Sequence, residues 1–372
     1  MEFIDLKAQY RALQPRMDER IRAVLSSTRF IGGPEVKELE TALAAFVGRK
    51  YCVSCANGTE ALQLAYMACG VGQGDAVFCP DMTFISSVEP AVMLGAAPVF
   101  CDIDPVTYNL DPAALKERVM AVKREGKLRP KFVVAVDFLG NPADMESIRL
   151  ICEEENLVLI EDAAQATGAS HQGARCGSFG DVATTSFFPS KPLGCYGDGG
   201  AVFTDDEAVA ELLNSYKVHG KGPKGKYDNV RIGLNSRLDT LQAAVLLTKL
   251  EVLEQEIEKR QDVAKRYAEA FEGLLQIPAV EEGNVSAWAQ YCVLAESPEQ
   301  RQKILDAMKS ASVPSLIYYP HVLHELDAFA SWENVETPNA KRYADCNFGL
   351  PFSPYLTEED QQKVIDVVLS AL

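Results

Sequence analysis

The 372-residue sequence lacks several features, and each absence excludes a class of protein. No apolar run approaches the roughly 18 residues at which a membrane-spanning helix is expected. The N-terminal segment 1–5 has neither the basic nor the apolar part of a signal peptide. We therefore expect a cytoplasmic protein with no membrane partner.

Basic residues are also scarce relative to acidic ones. Lysine and arginine together number 36 against 53 aspartates and glutamates, which gives a formal net charge of −17. Nucleic-acid binding needs a basic face that attracts phosphates, so nucleic acid is excluded as a partner. A small anionic ligand is still possible, because it requires only a local pocket.

The ten cysteines show no spacing typical of a disulfide framework. Cys52 and Cys55 form a C-x-x-C pair, which raises the alternative of zinc or redox chemistry. No second such pair follows, and none of the four histidines is near it in sequence. We predict reduced thiols on a strand and the turn after it, and no metal site.

Short apolar runs alternate with stretches of helical periodicity, which is typical of an α/β protein with a mostly parallel sheet. We predict strands at 51–54, 76–79, 98–102, 132–137, 157–160, 182–187 and 200–203. We predict helices between them at 59–68, 113–123, 145–154 and 207–216.

A different pattern begins near Arg237. Residues 238–271 are amphipathic and free of proline and glycine, which predicts one long helix. We therefore divide the chain into a large domain at 1–240, a connecting helix at 241–275 and a small α/β domain at 276–372. In the small domain we predict strands at 289–294 and 315–318, and helices at 298–311 and at the C-terminal end.

Open α/β sheets bind ligands at the carboxyl ends of their strands, so the residues that follow the predicted strands are candidates for a site. The first candidate is the segment 56–60, Ala-Asn-Gly-Thr-Glu, which opens a helix. Its free amides and the Thr59 hydroxyl form an anion site. The alternative is a simple helix cap.

The strand 157–160 is followed by Asp162 and Gln165. A carboxylate at a strand end followed by small residues suits a buried positively charged partner, such as a protonated pyridine nitrogen. Gln165 can donate a hydrogen bond to the same ligand. The alternative is a carboxylate that caps a helix.

The strand 182–187 leads into Lys191, a lysine among aromatic residues, prolines and glycines. Poor solvation lowers the pKa of an amine towards the range in which it is a nucleophile. The alternative is a lysine on a surface loop.

A P-loop nucleotidase is a rival interpretation, because Gly220, Gly225 and Lys226 have the G-x-x-x-x-G-K spacing. Tyr227 stands where that motif requires serine or threonine, and the segment follows a helical stretch rather than a strand. We reject this interpretation and interpret 217–226 as a mobile, solvated basic loop.

Several motifs, taken in order, resemble those of the sugar aminotransferases of the DegT/StrS family, which are fold type I pyridoxal-phosphate enzymes. The matching motifs are 31–36, 57–59, 81–84, 161–165, 186–200 and 233–239. The resemblance covers nearly the whole chain. It implies a mixed, mostly parallel sheet of about seven strands flanked by helices, with a smaller C-terminal α/β domain.

The resemblance also implies a role for each matching residue. Lys191 would be the catalytic residue, binding pyridoxal phosphate covalently and moving the proton between donor and cofactor. Asp162 would keep the pyridine nitrogen protonated, Gln165 would bond the ring oxygen, and Phe84 would stack on the ring. The phosphate would be held by Gly58, Thr59, Ser186 and Asn235, the last from the neighbouring subunit, which makes the protein a homodimer with active sites at the interface.

The implied reaction moves an amino group from glutamate to the keto carbon of a nucleotide-linked sugar. Within the family, segments 186–200 and 235–244 look most like enzymes that act on a UDP-linked 3-oxo-N-acetylglucuronate. The alternatives are amination of a 4-keto deoxysugar or of a dTDP-linked 3-keto sugar, and a non-catalytic regulator. Arg237, Tyr319 and His324 are the candidate substrate residues, although 318–324 departs from the sequence usual in those enzymes.

Overall fold

A computed structural model describes residues 1–225, 227–332 and 335–372, so Lys226 of the rejected P-loop motif lies outside the described residues. The predicted α/β architecture is confirmed by a seven-stranded sheet in the order β1-β9-β8-β5-β4-β2-β3. Its strands are β1 (Tyr51–Cys55), β2 (Asp75–Pro80), β3 (Ala97–Cys101), β4 (Arg129–Val136), β5 (Val158–Asp162), β8 (Val182–Ser186) and β9 (Gly200–Thr204). β6 (Ser170–His171) and β7 (Ala174–Arg175) form a separate short ribbon.

The centre of the sheet is parallel and one edge is antiparallel. The pairs β2–β3, β2–β4, β4–β5 and β5–β8 are parallel, whereas β9 runs antiparallel to both β1 and β8. Each of these strands overlaps a predicted one, because continuous buried apolar runs are what a sheet covered on both faces requires. The carboxyl ends of β4, β5 and β8 therefore lie along one edge.

Helices cover both faces of the sheet. Along β4, Phe132 and Val134 pack into one core cluster while Val133 and Ala135 pack into another, as the alternation of side chains in a strand dictates. The helices of this part are α1 (Leu6–Ser27), α2 (Pro34–Val47), α3 (Gly58–Ala68), α4 (Glu89–Met93), α5 (Pro112–Glu125), α6 (Met145–Glu155) and α7 (Glu207–Tyr216).

The region predicted as one connecting helix is two helices, α8 (Thr240–Leu250) and α9 (Leu253–Phe271). Leu246 of α8 is buried in the same cluster as residues of α1 and α2. Tyr267 of α9 is buried with residues of the C-terminal unit. The single-helix prediction was wrong because the chain turns at Glu251 and Val252. After this turn, α9 leaves the cluster that it shares with α8 at Leu253 and Ile257 and packs against the C-terminal unit.

The C-terminal unit contains an antiparallel ribbon of β10 (Tyr291–Leu294) and β11 (Asn347–Leu350), with α10 (Pro298–Ser310), α11 (Pro338–Cys346) and α12 (Glu358–Ala371). The predicted strand at 315–318 is not a strand and makes one isolated bridge, Leu316 to Gly349. Pro314 and Pro320 flank this segment, and proline cannot donate a hydrogen bond to a ladder.

Two further predictions concern the thiols and the membrane. Cys52 and Cys55 both lie on β1 as buried free thiols, and burial raises the pKa of Cys55 to about 12. Within the described ranges, no helix combines the length and the apolar character that crossing a bilayer requires.

Candidate active site

A cavity of about 700 Å³ opens at the carboxyl ends of β4, β5 and β8, between the sheet and the C-terminal unit. Most of the residues predicted for the site line it together: Gly58, Thr59, Phe84, Asp162, Gln165, Ser186, Lys191 and Tyr319. These residues come from segments far apart in sequence, and the sheet topology brings them to one place.

One wall of the cavity is the N-terminus of α3. Asn57 caps this helix by accepting a hydrogen bond from the Glu60 amide at 2.8 Å, and Gly58 is the first helical residue. A Cβ atom on Gly58 would lie 2.7 Å from the Cβ of Ser186, so only glycine allows α3 to approach the end of β8 this closely. Helix amides beside a serine hydroxyl form a cradle that fits a phosphate group.

Asp162 ends β5 and is 4% exposed. Its Oδ2 accepts a hydrogen bond from the Ser87 hydroxyl at 2.8 Å, and its Oδ1 accepts one from the Ala164 amide at 3.1 Å. Burial raises the pKa of this carboxyl, whereas the two hydrogen bonds and the charge of Lys191 act in the opposite direction. A buried carboxylate at a cavity wall can pair with a positively charged ligand group, such as a protonated pyridine nitrogen.

Lys191 lies on the loop that joins β8 to β9. The loop is held by backbone hydrogen bonds from the Phe187 amide to the Gly199 carbonyl and from the Lys191 amide to the Phe188 carbonyl. Burial lowers the pKa of the Lys191 amine to about 8, and the charge of Asp162 limits this decrease. A substantial fraction of this amine is therefore uncharged near neutral pH and can attack a carbonyl group.

Aromatic and amide side chains complete the part of the cavity near Gln165. Gln165 accepts a hydrogen bond from the Leu139 amide at 2.6 Å and donates one to the Tyr319 hydroxyl at 3.4 Å. The Phe84 ring is 53% exposed, and its centroid lies 5.8 Å from that of Tyr319. An exposed ring in a cavity wall can stack on a flat ligand.

Three predicted residues do not line this cavity. Asn235 and Arg237 are exposed on the segment before α8. His324 is directed at Asp81 instead: its Nδ1 lies 2.5 Å from one carboxylate oxygen, and its amide donates to the other at 2.9 Å. Asn235, Arg237 and His324 therefore lie apart from the residues that line the cavity.

Several cavity residues were not predicted from the sequence. Ser87, which donates a hydrogen bond to Asp162, lies on a 3-10 turn three residues after Phe84, and no motif in the sequence marks it. The other unpredicted lining residues that carry polar side chains include Thr83, Ser86, Ser190, Asp198, Gln290 and Tyr318. These residues reach the cavity through the course of the folded chain, and no local sequence pattern predicts that they line it.

In the described part of the chain, one set of buried side chains has the spacing of metal ligands: Asp137, Glu161 and Cys176, whose ligand atoms lie within 4.8 Å of one another. Glu161 accepts hydrogen bonds from backbone amides, including those of Phe179 at 2.8 Å and Gly180 at 3.2 Å. Burial and the neighbouring Glu161 raise the pKa of Asp137 well above its usual range. Burial thus accounts for the raised pKa of Asp137, and backbone amides hold the Glu161 side chain in place.

Comparison with known proteins places nearly the whole chain in one family of aminotransferases. Residues 12–369 match the DegT/DnrJ/EryC1/StrS aminotransferase family. The chain is 44% identical over 357 residues to the UDP-2-acetamido-2-deoxy-3-oxo-D-glucuronate aminotransferase of Pseudomonas aeruginosa, covering 96% of each.

The solved structures agree with this match. The chain superposes with a TM-score of 0.97 on a DegT DnrJ EryC1 StrS aminotransferase from Brucella abortus, at 44% identity and covering 100% and 99% of the two chains. It superposes with a TM-score of 0.88 on ntda from Bacillus subtilis with bound cofactor PMP, at 25% identity and covering 99% and 83%.

These matches confirm the predicted family, fold and class of enzyme. Pyridoxal phosphate, of which PMP is the aminated form, fits the residues present: an amine of lowered pKa at Lys191, a buried carboxyl group at Asp162 and a phosphate cradle at Gly58 and Ser186. The chain belongs to the DegT/DnrJ/EryC1/StrS aminotransferase family, whose members are pyridoxal-phosphate-dependent sugar aminotransferases.

Proposed function

We propose that this protein transfers an amino group from glutamate to the 3-keto carbon of a UDP-linked N-acetyl-hexuronate. The observation that carries the proposal is the juxtaposition of Lys191 and Asp162 in one cavity, because it supplies both groups that amine transfer requires. The substrate is supported by the 44% identity to the Pseudomonas aeruginosa enzyme over 96% of both chains.

In this proposal Asp162 and Lys191 have separate roles in the reaction. Bound pyridoxal phosphate supplies an electron sink that withdraws charge from the carbon at which the amino group is exchanged. Asp162 keeps a proton on the pyridine nitrogen, which strengthens that effect. Lys191 would accept at its Nζ the proton that leaves the α-carbon of the donor and would deliver it to the cofactor carbon on the other side of the transferred nitrogen. A pKa of about 8 lets the amine act in both directions near neutral pH.

The remaining cofactor residues position the ring and the phosphate. In our proposal Phe84 stacks on the ring face, Gln165 bonds the ring oxygen, and Gly58, Thr59 and Ser186 bind the phosphate. Tyr319 contacts the sugar from the C-terminal side of the cavity. Arg237 meets the sugar carboxylate through a bidentate pair, and His324 is a candidate for the sugar site despite its present contact with Asp81.

A second copy of the chain completes the phosphate site. Asn235 is exposed and does not line the cavity of its own subunit, which is what a residue acting on a neighbouring subunit requires. Asn235→Ala is expected to weaken cofactor retention, measured as bound cofactor absorbance after gel filtration. The matched control is Asn214→Ala, an exposed asparagine on α7; equal retention in both variants would remove Asn235 from the site.

The central test uses the purified protein with its cofactor. Borohydride reduction followed by peptide mass mapping should place a pyridoxyl adduct on Lys191, and glutamate should bleach the visible absorbance. The bleached enzyme is then offered a UDP-linked 3-oxo-N-acetyl-hexuronate, a 4-keto deoxysugar and a dTDP-linked 3-keto sugar. An adduct at another residue contradicts the active-site proposal, and faster amination of either of the other sugars contradicts the substrate proposal.

A further inference from the structure

Two hydroxyl groups beside Asp162 form a short chain of hydrogen bonds. The Ser87 hydroxyl donates to Oδ2 of Asp162 at 2.8 Å, and the Thr83 hydroxyl oxygen lies 2.9 Å from that of Ser87. Both residues belong to the cavity wall, yet Ser87 is only 1% exposed and Thr83 only 3%. These hydrogen bonds therefore meet little competition from solvent, which makes each of them stronger than it would be in water.

The carboxyl group at the end of this chain decides which way its protons point. An ionised carboxylate, the form of Asp162 that pairs with a cation, has no proton to donate, so Ser87 gives its single hydroxyl proton to Asp162. The Ser87 oxygen can then only accept from Thr83, which makes Thr83 the donor of the second bond. Each bond in such a chain polarises the next, so Thr83 acts on Asp162 through Ser87.

The backbone of Ser87 is fixed on both sides of its side chain. Its amide donates to the Phe84 carbonyl at 3.0 Å, and its carbonyl accepts a hydrogen bond from the buried Tyr66 hydroxyl at 2.7 Å. These two bonds preorganise the Ser87 hydroxyl beside Oδ2 of Asp162.

A hydrogen bond donated to a carboxylate makes that carboxylate less basic. Burial raises the pKa of Asp162, and the bond from Ser87 acts against this effect. When a carboxylate shares a proton with a ring nitrogen, a less basic carboxylate leaves the proton nearer the nitrogen. The ring of pyridoxal phosphate withdraws electrons more strongly while its nitrogen keeps that proton.

We propose that Ser87 and Thr83 are positioning residues that keep the shared proton on the ring nitrogen of the cofactor and not on Asp162. Ser87 acts directly through its bond to Oδ2, and Thr83 acts through Ser87. This inference rests on one part of the proposed function, the pairing of Asp162 with the ring nitrogen. It is independent of the identity of the sugar, because both hydroxyls act on Asp162 and not on the substrate.

The spectroscopic test observes the ring nitrogen directly. Protonation moves the ¹⁵N resonance of a pyridine upfield, and in a hydrogen-bonded pair the resonance follows the position of the shared proton. Holoenzyme loaded with ¹⁵N-labelled pyridoxal phosphate is measured for wild type and for each variant at the same pH. We expect a downfield shift in Ser87→Ala and a smaller one in Thr83→Val. Thr83→Ser retains the hydroxyl and should restore the wild-type resonance.

Tyr66→Phe is the matched control, since it removes a hydrogen bond to the carbonyl of Ser87 and leaves the Ser87 hydroxyl in place. We expect glutamate to bleach Ser87→Ala about 10-fold more slowly than wild type, and Tyr66→Phe at a rate within about 3-fold. A purely structural role for Ser87 predicts equal slowing in both variants and no difference between their ring resonances. That result would overturn the inference.

Asp162→Asn separates this inference from the proposed function. A ring resonance that stays unchanged in Asp162→Asn contradicts the pairing of Asp162 with the nitrogen, and the inference fails together with that part of the proposed function. A resonance that moves in Asp162→Asn but not in Ser87→Ala overturns only the roles of Ser87 and Thr83. If wild type aminates no 3-oxo sugar while the resonance moves in Ser87→Ala, the substrate proposal fails and this inference stands.

Discussion

Two lysines in different regions of the molecule, the half-buried Lys191 and the buried Lys249, have the same lowered pKa. Burial brings the pKa of both Lys191 and Lys249 to about 8. Lys249 is 2% exposed in α8, with its Nζ 4.6 Å from the centroid of the Tyr196 ring. Lys191 lies at a cavity large enough for a cofactor.

The difference shows that a lowered pKa is not sufficient for a nucleophile. Desolvation shifts the equilibrium of any buried amine towards its uncharged form, whatever surrounds it. Reaction also needs space for an electrophile beside the amine, and among these two only Lys191 lines the described cavity. The buried carboxyls of Asp162 and Asp137 repeat the contrast, since burial raises the pKa of both and only Asp162 lines the cavity.

The largest expected effect comes from replacing Lys191, and replacement of Lys249 is the matched comparison. Lys191→Ala should reduce transamination by roughly 10⁴-fold, because it removes both the attachment point and the group that moves the proton. Lys249→Met should keep activity within about 3-fold of wild type, since Lys249 does not line the cavity. Steady-state rates with saturating cofactor measure both, and comparable losses in the two variants would break the comparison.

The carboxyl pair provides the next test. Asp162→Asn should lower the rate by about 100-fold, because an amide does not stabilise the protonated pyridine nitrogen. Asp137→Asn should leave the rate within about 3-fold, since Asp137 does not line the cavity. Circular dichroism serves as the check that both variants are folded, so that a rate loss in Asp137→Asn alone would count against the assignment.

The lowered pKa of Lys249 should make the free energy of unfolding depend on pH. Its folded pKa of about 8 lies below the ordinary 10.5, so the unfolded chain binds more protons between these values. The contribution of Lys249 to the free energy of unfolding is therefore fully present above pH 10.5, and it is lost as the pH falls through 8. Relative to Lys249→Met, the free energy of unfolding of wild type should rise by about 2 kcal/mol over that interval in denaturant titrations. Parallel curves for the two proteins would contradict the burial of a titrating amine.

The smallest effect concerns cofactor capture by Lys191. Because the uncharged amine attacks the aldehyde, capture by cofactor-free enzyme should speed up about five-fold between pH 7 and pH 8 and then level off. Asp162→Asn removes a negative charge that raises the Lys191 pKa, so its half-maximum should move to lower pH. Stopped-flow absorbance measures both profiles, and a rate still climbing steeply above pH 9 would show an amine with its ordinary pKa.

Much of the fold followed from local patterns in the sequence. The strands of the sheet were predictable because they are buried on both faces and read as continuous apolar runs. The break between α8 and α9 was not, because helical periodicity does not show which partner each half packs against. The strand predicted at 315–318 failed for a related reason, since flanking prolines outweighed its apolar character.

Residues of the site were predictable where a reactive side chain lies at or just after the end of a strand. Asp162, Ser186 and Lys191 all follow or end buried strands, and the resemblance to a known family supplied their roles. Ser87 and Thr83 could not be found in this way. Both gain their importance from Asp162, which lies far from them in sequence, and no local pattern records the two hydrogen bonds that connect them.

The cavity takes its walls from both units of the chain, with Gln290, Tyr318 and Tyr319 facing Asp162 and Lys191. A molecule that fills it therefore joins the units as a non-covalent cross-link. By mass action, each tenfold rise in free ligand above its dissociation constant adds about 1.4 kcal/mol to the free energy of pulling them apart. Saturation with substrate should therefore oppose any opening of the chain at Glu251 and Val252, where α8 ends and α9 begins.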